Sequence, residues 1–190
     1  DFVDVYYTQS SDQQCVTLTC DENLFEYYHI EVKDGELIVY CKRSFYNKID
    51  TYLTVCSSSL KGVKLSGSGD LYIEEALTTE DDFTIETSGS GDVDIASMTA
   101  SSTTVSLTGR GDARIGSMTV SSAEFKSSGS GDIEADEVKA ESISIKTTGS
   151  GDCSLCCKDS GTLSVQISGS GDVTLRGTAR ALINISQTGS

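Results

Sequence analysis

The phrase Ser-Gly-Ser-Gly-Asp at residues 66–70 returns in near-copies that end at Asp92, Asp112, Asp132, Asp152 and Asp172, with a first spacing of 22 residues and 20 thereafter. A fixed interval of about 20 to 50 residues means that one supersecondary unit is stacked on copies of itself. The repeat therefore constrains shape before it constrains function. Stacking builds a surface and leaves open what that surface touches.

The residues between the phrases give the path of each coil. Counting from each Asp, positions one and three are mostly apolar: Leu71 and Ile73, Val93 and Ile95, Ala113 and Ile115, Ile133 and Ala135, Cys153 and Leu155, Val173 and Leu175. Period two marks a strand with one buried face. The next inward pairs (Met98 and Ala100, Met118 and Val120, Val138 and Ala140) fall one residue out of step, and so do those after them: Thr103 and Val105, Ala123 and Phe125, Ile143 and Ile145, Leu163 and Val165, Ile183 and Ile185. Each slip is a bend, so a coil reads as three short strands. Val63, Ile85, Val105, Phe125, Ile145, Val165 and Ile185 are expected to stack in one inward column.

The same alternation runs through the phrase itself, with the glycines on the inward parity and Ser66, Ser68 and Asp70 pointing out. The pairs Gly67 and Gly69, Gly89 and Gly91, Gly109 and Gly111, Gly129 and Gly131, Gly149 and Gly151, Gly169 and Gly171 thus form a corner motif together with the following Asp. A side chain inside a sharp corner would clash, and glycine has none. At about 3.3 Å per residue, a 20-residue coil has a perimeter of at most about 66 Å, which one layer of side chains fills. The fold expected is all-β: a parallel β-helix, or β-solenoid, of 20-residue three-strand coils wound right-handed.

The chain reads as a single domain over residues 1–190, with regular coils over 60–190 and an irregular β cap over 1–59 that holds most of the aromatics. Residues 2–8 and 16–19 read as strands, 31–40 as a hairpin around Asp34-Gly35, and 50–55 as a further strand. Residues 21–28 read as a short helical turn capped by Asp21. A cap is needed because an open solenoid end exposes unpaired backbone. The formal charge of −15 excludes nucleic acid and anionic membranes as partners. No segment approaches the length of a transmembrane span. The absence of an initiating Met fits either a trimmed chain or a processed precursor that has lost a signal segment, and the half-built corner Thr188-Gly189-Ser190 leads to the expectation that the natural protein continues.

Several segments together resemble the putative auto-transporter adhesin, head GIN domain family of secreted bacterial proteins. They are Asp4-Val5-Tyr6-Tyr7-Thr8-Gln9, Asp21-Glu22-Asn23-Leu24, the run from Val32 through Asp34-Gly35 to Tyr40, and Leu60-Lys61-Gly62-Val63 leading into the glycine phrases. The resemblance covers nearly the whole chain. It implies a β-helical protein of the periplasm or cell surface and brings no catalytic motif. The seven cysteines depart from the family's usual pattern.

Candidate chemistry is sparse. His29, the single histidine, has no Cys or Ser partner in a nucleophile–base arrangement and reads as a surface or packing residue. Cys153, Cys156 and Cys157 crowd together without the second ligand pair that zinc requires, and Cys153 takes an inward position as a buried thiol. Cys15, Cys20, Cys41 and Cys56 admit three pairings. Arg110-Gly111-Asp112 spells a receptor-binding tripeptide, but Arg110 stands where other coils carry Ser, so one substitution in a repeated corner accounts for it. No catalytic residue, cofactor or metal is expected.

Two function classes remain. One is a non-enzymatic, adhesin-like module of the cell surface or periplasm, whose Ser, Thr and Asp ladders contact a glycan or surface protein. The alternative is a carbohydrate-active β-helix enzyme of lyase or hydrolase type, which should show carboxylates and bases breaking the repeat beside a cleft. Here the Asp residues follow the repeat, which favours the first class. The Asp ladder is expected to be held by backbone N–H bonds at each residue's own corner, not by calcium, because one Asp per 20 residues supplies too few oxygen ligands.

Overall fold

Period-two burial makes strands of this chain, and the 20-residue repeat stacks them. The structure, a computed structural model, describes residues 3–43 and 51–188. The first part supplies β1 (Asp4–Gln9), β2 (Cys15–Thr19), β3 (Tyr28–Lys33), β4 (Glu36–Cys41) and β5 (Tyr52–Ser57). The coils begin with β6 (Gly62–Leu65), β7 (Leu71–Thr78), β8 (Phe83–Thr87), β9 (Val93–Thr99) and β10 (Ser102–Leu107). Four strands then each supply a whole coil: β11 (Ala113–Ser127), β12 (Ile133–Thr147), β13 (Cys153–Ile167) and β14 (Val173–Gln187). The result is an all-β solenoid of about 6 turns with parallel neighbours.

The three sides of a coil appear as three inward-facing stretches along one ladder, constant in register between β11 and β12 and shifted by bulges where β13 meets β12 and β14. In β12 the alternation doubles its outward residues at Asp136-Glu137 and again at Glu141-Ser142, and the backbone turns there without losing its pairing to β11. The glycine phrase makes the third corner. The inward column forms as read: Val63 pairs with Ile85, Ile85 with Val105, then Phe125, Ile145, Val165 and Ile185 in succession. Phe83, Ile85, Val105 and Phe125 are fully buried, whereas Ile185 in the last coil is 60% exposed. Cys153 also lies inward and buried, and burial pushes its thiol up to about 12.

The first segment differs from a simple cap. β1 runs parallel between β5 and β7, with Val5 opposite Leu71 and Tyr6 opposite Tyr72, so it extends the stack by one rung. β2 closes that edge antiparallel to β5, where Cys15 and Cys56 are opposite each other and form a disulfide. β3 and β4 form the expected hairpin as a separate two-stranded sheet. Its turn residues Asp34 (φ 53°) and Gly35 (φ 82°) are both left-handed, the conformation that matches a two-residue hairpin to strand twist.

The helical turn is a 3₁₀ helix, Glu22–Tyr27. The expected side-chain cap is corrected: Asp21 makes no such bond, and its backbone carbonyl accepts the Leu24 N–H at 2.9 Å. Residues 44–50, which include the start of the strand read at 50–55, and the terminal Gly189-Ser190 lie outside the described residues.

Candidate functional site

Two features of the solenoid surface follow from the repeat: the glycine–aspartate corner and a groove lined by hydroxyls. At the corner, glycine is required by the coil underneath. A Cβ on Gly91, Gly111, Gly131, Gly151 or Gly171 would fall far inside 3.0 Å of the carbonyl oxygen of Gly69, Gly91, Gly111, Gly131 or Gly151 respectively. Gly89, Gly109, Gly129, Gly149 and Gly169 stand in the same relation to Gly67, Gly89, Gly109, Gly129 and Gly149, and Gly69 to Val3. None of these glycines has positive φ. The sequence reading placed the clash inside the corner. The structure places it between corners, because stacked backbones approach too closely for any side chain.

The Asp carboxylates form a hydrogen-bonded ladder between coils. The Asp92 N–H donates to Asp70 Oδ1 at 2.8 Å, Asp112 to Asp92 at 2.8 Å, and Asp132 to Asp112 at 2.9 Å. Asp152 donates to Asp132 at 2.7 Å and Asp172 to Asp152 at 2.8 Å. This corrects the expectation that each carboxylate would serve its own corner. A corner N–H lies off the strand ladder, and the carboxylate one coil below is the acceptor within reach. Such charge-assisted bonds are stronger than neutral ones and offset the repulsion of stacked carboxylates, which at about 5 Å in water is under about 1 kcal/mol per pair. The first rung was missed by the sequence reading: Asp4 Oδ1 accepts the Asp70 N–H at 3.0 Å. Asp4 sits in β1, outside any glycine phrase, and only the pairing of β1 with β7 reveals it.

The second carboxylate oxygen is free to take side chains. Tyr72 donates to Asp70 Oδ2 at 3.1 Å, and partial burial together with the Asp70 charge pushes the Tyr72 hydroxyl up to about 12. Arg114 bridges Asp112 at 2.7 Å and Asp92 at 3.6 Å. This bears on Arg110-Gly111-Asp112. Asp112 spends Oδ1 on the Asp132 N–H and Oδ2 on Arg114, Gly111 is buried, and the Arg110 N–H is fixed to Gly89 O at 2.8 Å. A tripeptide held in this way lacks the free carboxylate that a receptor would need.

The groove crosses five coils on the flank formed by β10 and the later parts of β11 to β14, where Ile183, expected to face inward, is instead exposed on this flank because a register shift sets Leu182 opposite Leu163. Ser102, Ser122, Ser142 and Thr162 form one outward row, and Thr104, Glu124, Ser144 and Ser164 form the next, around a space of about 270 Å³. Register holds the rows: Ser102 pairs with Ser122, Ser122 with Ser142, and Ser142 with Thr162. Glu124 breaks the hydroxyl row and draws Lys126 (2.8 Å) and Lys146 (3.8 Å) to it. His29 lies apart from the groove, 3.2 Å from Glu31 and with its ring 4.7 Å from that of Tyr40. Among the described residues, no group of three or more His, Cys, Asp or Glu side chains is arranged to hold a metal ion.

A solenoid whose coils open on an Asp-bridged glycine corner, preceded by a parallel β1 and a hairpin, invites comparison with known proteins. The family model described as putative auto-transporter adhesin, head GIN domain, matches residues 1–182. The chain belongs to this family. Its fold is similar to that of a putative adhesin from Bacteroides fragilis, with 27% identity and a TM-score of 0.78 over 97% of this chain and 89% of that one. A putative adhesin from Parabacteroides distasonis is also similar, with 21% identity and a TM-score of 0.77 over 99% and 88% of the two chains. So is a protein from the same species described as a putative lipid binding protein, with 23% identity and a TM-score of 0.74 over 100% and 87%. No functionally curated protein matches the chain. An adhesin-type family fits a non-enzymatic binding module outside the cytoplasm. No helix among the described residues is long and apolar enough to cross a membrane.

Proposed function

We propose that this protein is a non-enzymatic module of the bacterial periplasm or cell surface that contacts glycans through the hydroxyl-lined groove on its flank. The observation that carries this reading is the pair of in-register rows, Ser102 to Thr162 and Thr104 to Ser164, facing one shallow space across four coils. A hydroxyl both donates and accepts, so parallel rows of hydroxyls suit a polymer that presents hydroxyls of its own at regular intervals. The groove carries no pair of unpaired carboxylates facing each other across a cleft, and Glu124 is occupied by two lysines. That pattern supports binding over glycosidic cleavage. The glycine–aspartate corner is structural in this reading: it sets the coil spacing that holds the rows in register.

A glycan array probed with the parent chain and with Ser142→Arg tests the proposal. The variant fills the groove with an exposed side chain and should melt with the parent while losing array binding. Glycan binding unchanged by Ser142→Arg would move the site elsewhere. Release of new reducing ends from a bound glycan would replace the binding module with the enzyme.

A further inference from the structure

The cap carries two thiols outside its disulfide, Cys20 and Cys41. With Cys15 bonded to Cys56, only one pairing of the four cap cysteines remains, and Cys20 and Cys41 stand half-buried as thiols. Two strand registers and one shared hydroxyl relate them. In the hairpin, Tyr28 lies directly opposite Cys41. The Tyr28 hydroxyl has the side chains of Cys41 and of Thr51, on the chain entering β5, as neighbours that act on it, and the Cys41 thiol donates to the Arg43 carbonyl at 3.0 Å. In the main sheet Thr19 is opposite Tyr52, and extending that register by one residue sets Cys20 opposite Thr51. Directly opposed residues have Cβ atoms about 5 Å apart. Both thiols also act on the Tyr28 hydroxyl, adding to the rise that burial causes there. The remaining cysteines, Cys153, Cys156 and Cys157, belong to β13, several coils away.

We propose that Cys20 and Cys41 form a second disulfide, which ties the β3–β4 hairpin to the end of β2. The two thiols pass two electrons and, by way of solvent, two protons to a disulfide oxidant of the glutathione class. The oxidant is reduced to two thiols as the Sγ–Sγ bond forms. The hairpin has reason to need this bond. A two-stranded sheet is marginal alone, and among the described residues this one shares no strand ladder with the solenoid. It rests over an open space of about 1340 Å³ at the base of the stack, where Leu37 and Val39 from the hairpin and Val5, Leu53, Val55 and Leu65 from the coils supply apolar lining between charged residues such as Lys61 and Glu86. A covalent tie at the open end of the hairpin, opposite its Asp34-Gly35 turn, fixes the lid of that space.

The test is a peptide map of the chain refolded with oxidised and reduced glutathione and alkylated without reduction. Chymotrypsin, cutting after Leu18, separates Cys15 from Cys20. The expected product is a linked pair of peptides carrying Cys20 and Cys41, beside the Cys15–Cys56 pair. Alkylated Cys20 and Cys41 in a chain that has formed Cys15–Cys56 would overturn the proposal, as would either cysteine linked to β13. Tryptic cleavage after Lys33 supplies a second readout. Under oxidising conditions Cys20→Ser and Cys41→Ser should speed it by the same several-fold factor, with the double variant no faster. Unequal or additive effects would assign the two cysteines to ordinary packing and refute the bond.

Discussion

Gly131→Ala separates two explanations of the repeated glycines. If the corner needed only a flexible residue, alanine there would be neutral or would stabilise by about 0.4–1 kcal/mol, because it restricts the unfolded chain. The structure predicts the opposite sign. The new Cβ would lie 2.8 Å from Gly111 C and 3.1 Å from Arg110 C, with the Gly111 oxygen nearer still, and all are backbone atoms that no rotamer change can move. The two coils must part locally by about 1 Å to restore an ordinary C···O contact. Three bonds span that gap: Asp132 N–H to Asp112 Oδ1 at 2.9 Å, Ser130 N–H to Gly109 O at 2.9 Å, and Ala113 N–H to Asp132 O at 2.9 Å. At about 1 kcal/mol each, less the unfolded-state gain, the loss is about 2–3 kcal/mol. For a chain of this size that corresponds to a fall in Tm of roughly 4–12 °C. Thermal unfolding followed by circular dichroism measures it, with Ser130→Ala as the control. Ser130 is exposed, and its substitution should stay within about 0.5 kcal/mol of the parent. A Gly131→Ala chain that melts at or above the parent would refute the stacking argument.

The Asp ladder makes a graded prediction. Asp132→Ala leaves the Asp152 N–H without its acceptor and should cost about 1 kcal/mol, the low end for a lost partner because the edge is exposed. Asp132→Asn keeps an Oδ1 acceptor and should cost less than half as much in urea unfolding; equal losses would show that the carboxylate serves as a charge and not as an acceptor. Stability should fall at alkaline pH. Burial raises the Cys153 thiol from 9.0 to about 12, so between these values the unfolded chain releases a proton that the folded chain retains, and folding weakens as pH rises through that window. Cys153→Val, which matches Val93 and Val173 at the equivalent position of other coils, should flatten that part of the Tm–pH curve, and an unchanged slope would show that the thiol is not the group responsible. Calorimetry with calcium after exhaustive chelation should show no binding at micromolar concentration; several equivalents bound with a large rise in Tm would make the ladder a metal site.

The parts of the molecule legible in the sequence are those that the repeat copies. Parity alone was enough for the inward column from Val63 to Ile185, because a residue of the wrong polarity would meet its own kind above and below. The corner glycines were legible as a necessity but not as to cause, since the spacing of 20 does not say whether the obstacle is across the tube or one coil down. The carboxylate ladder was misread for the same reason: both its donor and its acceptor are Asp, and only coordinates tell a residue's own corner from its neighbour's. Asp4 and the tie of β1 into the stack were invisible because their partners, Asp70 and Leu71, stand far along the chain and no copied phrase marks the first rung. The groove needed depth, which arises where the doubled outward residues bend the ladder. A change in an inward or corner column disturbs two neighbouring coils at once, so those columns resist variation. An outward column tolerates it, as Arg110 among serines shows. The departures gathered on one outward flank, Glu124 with Lys126 and Lys146 beside the rows of serine and threonine, therefore lie where this scaffold can vary its surface without changing its fold, as the proposed glycan contact requires.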